Sequence, residues 1–572
     1  MSYTGELISL SRRKIQKVVV TLDYCSNSFG VAPCVATGTK CYNTRATCKN
    51  PANFGVTTKD YSFVSADCVC PAGYELRPYL KSVSFYATEI KDTLTVAGRI
   101  SVSLYDEEDT DVGIDPYVAD RTSTQGTFWK KLLARNPFYH GRPIKIYNGF
   151  IEGSTAIEWN QKWYGIIDNI QLSGGEVVIE AVDILKSISK IEIPAESDIR
   201  LLVDINATRT ELTLDKSSAL GSTGTIIMKD EIIQFGNNST VTKILSNCTR
   251  GAFLTAATEH QEDDKVQACR YYPPLDPFDH LYNMLTSEAG FSTELVNTTA
   301  FAAAKIYPEQ TPILYAALYT KPTKLNDIYF SLLDHVDALS WVGEDLKVTI
   351  QRGCVNGPGR TYTTISDSSN IVRGSDKANL NSTSKISRCA LYWQKDAIGD
   401  DEEPISYERI DVAVDADAES SLEYNEIADK KIWSKWIHSS AGSTEILNVY
   451  TRNLVARRVA AHRDPEVLID VSVELKDSDI KTGQFVNLNS DVLLNIDGTT
   501  YSNVKCLVVK RHEKDNLVDL KLKKLIDRRV AFIGSSTISG GYSTATEASK
   551  EYGYFCSTNK RMENDDPCYR IY

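Results

Sequence analysis

The feature that most constrains the fold of this chain is a two-residue alternation that recurs along it. Apolar and polar residues alternate in KVVVTLDY (17–24), GRISVSLYD (98–106), RPIKIYNG (142–149), EVVIEAVDIL (176–185), EVLIDVSVEL (466–475) and NLVDLKLKKL (516–525). Successive side chains of a strand point to opposite faces. Runs of this kind, rich in Val, Ile and Tyr and bounded by Gly, Asn and Asp, form half-buried antiparallel strands. The chain is therefore expected to be mainly β, of α+β class. Its 572 residues, 42% hydrophobic and 24% charged, provide for several domains with proper cores.

Helical periodicity is confined to four places. In TFWKKLLARN (127–136) Phe128, Trp129, Leu132 and Leu133 share a face, and Pro137 ends the pattern. PFDHLYNMLTSEA (277–289) groups Phe278, Leu281, Tyr282 and Leu285 before Gly290. A third helix is predicted over 325–341, from Leu325, Ile328, Leu332, Leu333 and Val336, and a fourth over TRNLVARRVAAHR (451–463), stopped by Asp464-Pro465. These amphipathic pieces are expected to pack across the ends or flanks of β-barrels. Composition divides the chain into 1–196, with a Cys-rich loop at 25–70; an all-β insertion at 197–272; a mixed block at 273–403; a strand-rich block at 404–530; and a small, polar arm at 531–572.

Charge and motifs exclude several classes of function. A formal net charge of −12 opposes indiscriminate binding to nucleic acid, which depends on neutralising phosphates. There is no run of about 20 apolar residues to span a bilayer. The segment MSYTGELISLSRRKIQKVVV lacks the apolar core of a signal peptide, so the protein is expected to stay, at first, where it is made. No G-x-S-x-G, P-loop or zinc-protease spacing occurs in proper context, so no enzyme is expected. The acidic run DEEDTDVGID (106–115) does not fit a calcium loop and reads as a solvated turn. In the basic helix the stripe of Leu454, Val455 and Val459 faces a core, leaving Arg457 and Arg458 to bridge subunits.

The segment YCSNSFGVAPCVATGTKCYNTRATCKNPANF (24–54) carries Cys25, Cys34, Cys41 and Cys48 and almost nothing apolar of its own. Four thiolates in a loop of small and turn residues suit an iron–sulfur cluster first. Zinc comes second, because structural zinc sites favour close C-x2–4-C pairs and this spacing is C-x8-C-x6-C-x6-C. Disulfides or free thiols are the third reading. Cys68 and Cys70, in a C-x-C-P context, are substitute ligands. Either metal would supply the folding energy that the loop's composition lacks. Cys248, Cys269, Cys354, Cys389 and Cys506 sit in strand-like contexts and read as small buried hydrophobes, while Cys556 and Cys568 lie in the polar arm.

Taken in order, SVSLYDEEDTDVGIDPY, GTFWKKLLARNPFYHGRPIKIYNG and WYGIIDNIQL…VVIEAVDILKSI resemble the opening barrel of tail hub (baseplate hub, tail-associated) proteins of long-tailed bacteriophages, of the siphophage type. GTIIMKDEIIQF with LSNCTRGAFLTAATEHQEDDKV looks like a small β module frequent in phage tail-tip proteins, in which His260 belongs to a recurring pattern and is expected to stabilise a turn. LVARRVAAHRDPEVLIDVSVELKDSDIKTGQFVNLNS is similar to the second hub barrel. The resemblance implies tandem barrels, each with a flanking helix, and a homotrimer whose six barrels ring a pore at the tail tip of the virion. Such a hub joins the sixfold tail tube and distal tail protein to a threefold central fibre or spike and meets the tape measure protein. It closes the tube and opens for DNA ejection, with phage DNA in transit only and a pore surface expected to be negative. The implied alternatives are a receptor-binding adhesin or a hub with cell-wall hydrolase activity. Some tail-tip proteins of this group carry an iron–sulfur cluster, of 4Fe–4S type, which favours that reading of Cys25, Cys34, Cys41 and Cys48.

Overall fold

The computed structural model describes the chain apart from residues 1–12, 66–75, 87–88, 92–93, 97, 151–157, 306–312, 344, 346, 353–361, 440–441, 496–497, 515–516, 526–528, 531–567 and 570–572. Cys68, Cys70, Cys354, Cys556 and almost all of the arm thus lie outside the described residues.

The N-terminal alternation closes into a barrel. Its strands are β1 (Lys14–Cys25), β2 (Val56–Ser65), β3 (Leu76–Tyr86), β6 (Arg99–Tyr105), β7 (Pro143–Phe150), β8 (Asn160–Ser173) and β9 (Glu176–Val182); β4 (Glu89–Lys91) and β5 (Leu94–Val96) form a hairpin that leaves it. The order around the barrel is β1-β2-β3-β6-β9-β8-β7, with β7 returning to β1, so no strand is left as an edge. Only β2 and β3 run parallel. Val18, Val20 and Leu22 of β1 point inward with Ile100, Val102 and Leu104 of β6, as the period of two requires. The helix Phe128–Arg135 lies on this core through Phe128, Trp129 and Leu132, and the Trp129 ring stacks on Phe63 at 5.1 Å. Asp106 fixes its start, accepting from the Trp129 amide at 3.0 Å and the Thr127 hydroxyl at 2.7 Å.

The insertion forms its own sheet around Ile199, Leu212, Ile226, Ile233, Leu245 and Val266. Its last strand, Lys265–Leu275, runs past the predicted end at 272 and pairs with Tyr315–Tyr319. The largest core follows, where the helices Pro277–Asn283, Leu325–His335 and Thr444–His462 pack on a sheet of Arg388–Lys395, Tyr407–Val414 and Asp429–Trp433. The boundary predicted between 403 and 404 falls inside that sheet. Two helix predictions are corrected here. The helix predicted over 325–341 ends at His335; Asp337 turns the chain at φ +50°, and Ala338–Val342 pairs with Val348–Arg352 as a strand. Burial of Trp341 at 4% exposure rewards the strand more than the helix. The helix predicted over 451–463 begins at Thr444, and it packs on the central sheet through Leu447, Leu454 and Val455, not on the last one.

The last sheet runs Thr363–Ser366, Phe485–Leu494, Thr500–Lys514, Leu517–Lys524, Glu466–Glu474, Lys377–Asn381, around Ile365, Ile469, Val471, Leu488, Val508 and Leu520. It curves around one core, but among the described residues its two terminal strands do not pair, so it is open where the first barrel is closed. The two are joined directly. Glu89 of the β4–β5 hairpin pairs with Lys510, and Ile90 is buried against Trp341, Phe485, Leu507 and Val509. Among the described residues no helix is long and apolar enough to cross a membrane.

Candidate functional site: a cavity lined by four cysteines

The loop between β1 and β2 leaves the barrel at Cys25 and re-enters at Val56. Apart from one short turn at Pro51–Asn53 it has no regular structure, as its composition dictates. Side chains from elsewhere hold it. Arg121 forks onto Asp115 through Nε and Nη2, each at 2.6 Å, and donates to the Lys40 and Cys41 carbonyls at 2.8 and 3.1 Å. The Arg121 and Arg135 guanidiniums stand 4.2 and 4.1 Å from the centre of the Tyr42 ring. The Asn136 side chain donates to the Asp23 carbonyl at 2.9 Å, and the Phe29 amide donates to the Tyr117 hydroxyl at 2.8 Å.

The acidic run supplies this scaffold, which corrects its reading as a solvated turn. Asp106, Asp111 and Asp115 are buried. Asp111 takes Lys131 at 2.8 Å, Arg135 at 3.4 Å and the Thr124 amide at 2.8 Å. Burial would raise the Asp111 pKa, but the Lys131 and Thr124 hydrogen bonds and the Arg135 charge outweigh it and hold it at about 2. A carboxylate run beside a basic helix, KKLLAR, is a signal that ion pairing, not hydration, satisfies it.

Inside this frame Cys25, Cys34, Cys41 and Cys48 line one cavity, with Asn27, Asn43, Asn50, Asn53, Phe29 and Phe54. All four predicted residues are thus brought together, as free thiols. Cys34 and Cys41 are buried. Burial pushes the Cys41 thiol up, against a lowering contact from Asn43, and the charges of Cys48, Cys25 and Cys34 push it further. The Cys41 thiol thus resists ionising unless a cation shares the cavity. Among the described residues no group of three or more His, Cys, Asp or Glu is placed to hold a metal ion. The sulfurs border a space, and a mononuclear zinc needs all four about 2.3 Å from one centre. One lining atom is an orphan: Asn50 Nδ2 is buried and has no hydrogen-bond partner. A donor without an acceptor beside four thiols fits a sulfur-rich group, since a bound cluster brings acceptors with it.

The remaining candidates resolve structurally. Cys248, Cys389 and Cys506 are buried and Cys269 is half-buried. His260 belongs to a buried clasp in the insertion. Glu231, fully buried, takes Arg250 through two 2.7 Å bonds, the Gly251 and Thr258 amides at 3.0 Å, and His260 Nε2 at 2.8 Å. The prediction that Arg458 bridges subunits is corrected: it is 6% exposed and pairs with Asp334 of the same chain at 2.9 Å. Arg458 stands one turn on from the buried Leu454 and Val455, so it falls on the packed face of its helix.

No family model matches this chain, and no curated protein does. Solved structures similar to it include the tail protein from Neisseria meningitidis MC58, with 9% identity and a TM-score of 0.37 over 77% of this chain and 96% of that one. The 43 kDa tail protein of prophage MuSo2 from Shewanella oneidensis has 7% identity and a TM-score of 0.34, covering 77% and 96%. Prophage tail protein gp18 from Listeria monocytogenes EGD-e has 9% identity and a TM-score of 0.34, covering 77% and 87%.

Proposed function

We propose that this chain is a structural component of a phage-type tail: a homotrimeric hub at the tail tip, set between the sixfold tail tube and a threefold fibre or spike. The observation that carries the reading is the order of parts. A closed barrel with its helix, a small β module, a helical layer and a second curved sheet follow one another as the hub resemblance of the sequence requires. Closing the first sheet removes its edges, which would otherwise invite aggregation, and repetition of such units around an axis builds a ring. The hub contacts the distal tail protein above, the fibre or spike below and the tape measure protein within. DNA passes without being held, in keeping with the net charge of −12. No reaction is assigned to it.

Within the hub, Cys25, Cys34, Cys41 and Cys48 hold an iron–sulfur cluster of the 4Fe–4S type. The shared cavity, the all-thiol donor set and the orphan Asn50 donor suit a metal–thiolate group, and the wide C-x8-C-x6-C-x6-C spacing favours the cluster over zinc. Its chemistry there is that of a staple, fixing a loop with little apolar content.

A density map of the tail tip tests the hub. Three copies around the axis at the tube junction are expected; a chain placed elsewhere, or a monomer by light scattering, overturns the proposal. Iron and acid-labile sulfide in anaerobically purified protein test the cluster. Zinc, or neither metal, removes it.

A further inference from the structure

We infer that Asn50 is a positioning residue for the group held by the four cysteines, donating an N–H to its sulfur and raising its reduction potential. The inference rests on the cluster reading above and deepens it. Asn50 follows Cys48 by two residues and lines the same cavity as all four thiols. Its amide orientation is set by a neighbour, because Asn53 Nδ2 donates to Asn50 Oδ1 at 3.5 Å while the Asn53 amide donates to the Asn50 carbonyl at 3.2 Å. With Oδ1 so engaged, Nδ2 is the free end, and it is buried with no acceptor. A buried N–H left unsatisfied is destabilising, because it has given up its hydrogen bond to water. The asparagine therefore destabilises the loop as it stands and is accounted for once an acceptor enters the cavity.

Sulfur in a cluster is such an acceptor, and the consequence has a sign. Reduction adds one electron and one negative charge, so an N–H dipole aimed at the sulfur stabilises the reduced state more than the oxidised one. Removing it moves the potential down. Arg121 has a different part. Its fork is held by Asp115 and by the Lys40 and Cys41 carbonyls, so it places the Cys41 backbone and is not a donor to the cavity.

The test compares the full chain, purified without oxygen, with Asn50→Ala and Asn50→Asp. Iron and sulfide per chain are measured, and the couple is titrated with dithionite by electron paramagnetic resonance. Asn50→Ala is expected to keep its iron. At the wild-type midpoint its ratio of reduced to oxidised form should fall about tenfold, which for a one-electron couple is about 59 mV. Asn50→Asp, of the same shape but an acceptor, is expected to move further in the same direction. Loss of iron from both variants with the barrel intact by circular dichroism overturns the inference, since Asn50 would then be needed to build the site and not to set its potential. Iron-loaded variants with an unmoved midpoint overturn this inference alone. Iron kept by Asn50→Asp with the wild-type midpoint and lost only from Asn50→Ala overturns it too, since shape and not the donor would matter. An iron-free wild type overturns the cluster reading itself, and with it this one.

Discussion

Gly483 lies where the last sheet meets Trp341, with φ at +82°, a region that side chains rarely adopt. A Cβ there would also run into the Trp341 ring. Gly483→Ala is expected to cost about 2 kcal/mol or more, read as a lower midpoint in urea. The Glu231 clasp makes a second prediction. Burial would raise the pKa of Glu231, but Arg250, the Thr258 amide, His260 and the Gly251 amide hold it at about 2. Glu231→Gln leaves Arg250 without its countercharge and is expected to cost about 3–5 kcal/mol, seen as faster amide exchange across Gly224–Met228 and Glu231–Ser239. This clasp was legible in part. Glu, Arg, Gly and His recur in the module's sequence pattern, and the structure gives the reason: they are one hydrogen-bonded group. Convergence of the other three on the buried carboxylate of Glu231 was not legible, because 29 residues separate Glu231 from His260.

Among elements, the helix Phe128–Arg135 was read almost to its last residue, because Phe128, Trp129 and Leu132 set a face that packs on the barrel core. Its cap was not read, since Asp106 reaches it from 23 residues away instead of from the N-cap position. Asp106→Ala is expected to cost about 1–2 kcal/mol and to loosen the cysteine loop along with the helix, measured by thermal unfolding and by exchange over residues 25–54. The stretch after His335 shows the opposite limit. Val336 extends the helical pattern of residues 325–333, yet Ala338–Val342 is a strand. Short apolar runs satisfy either period, and partners decide between them.

At the scale of the molecule, the first barrel and the last sheet exchange charges. Glu89 goes out to Lys510 and Lys521, at 3.4 and 2.9 Å. Glu513 comes back to Lys14 at 3.2 Å and Lys162 at 3.4 Å, with Asn148 at 3.2 Å. Burial would raise the Glu513 pKa, but Lys162, Lys14 and Arg511 hold it at about 2, below its ordinary 4.5. A depressed carboxylate contributes stability that is present above pH 4.5 and lost as pH falls towards 2, here up to about 3 kcal/mol. Glu513→Gln is therefore expected to lower the unfolding midpoint at pH 7 and to flatten its fall between pH 4.5 and 2, as calorimetry would record. Such a joint ties the first barrel to the last sheet through charges on both sides of the contact.

The sequence by itself determined the strands, the helix of the first barrel, the module and the four thiols worth watching. Each is written in local periodicity or in residue types that only certain conditions tolerate. Tertiary structure alone decided that the first sheet closes and the second stays open, that the acidic run is buried scaffold, that Arg458 turns inward, and that four cysteines spread over 24 residues border one space with Asn50 among them. The reason is physical. Closure, charge pairing and a shared cavity depend on which distant segments meet, and no local pattern encodes a meeting.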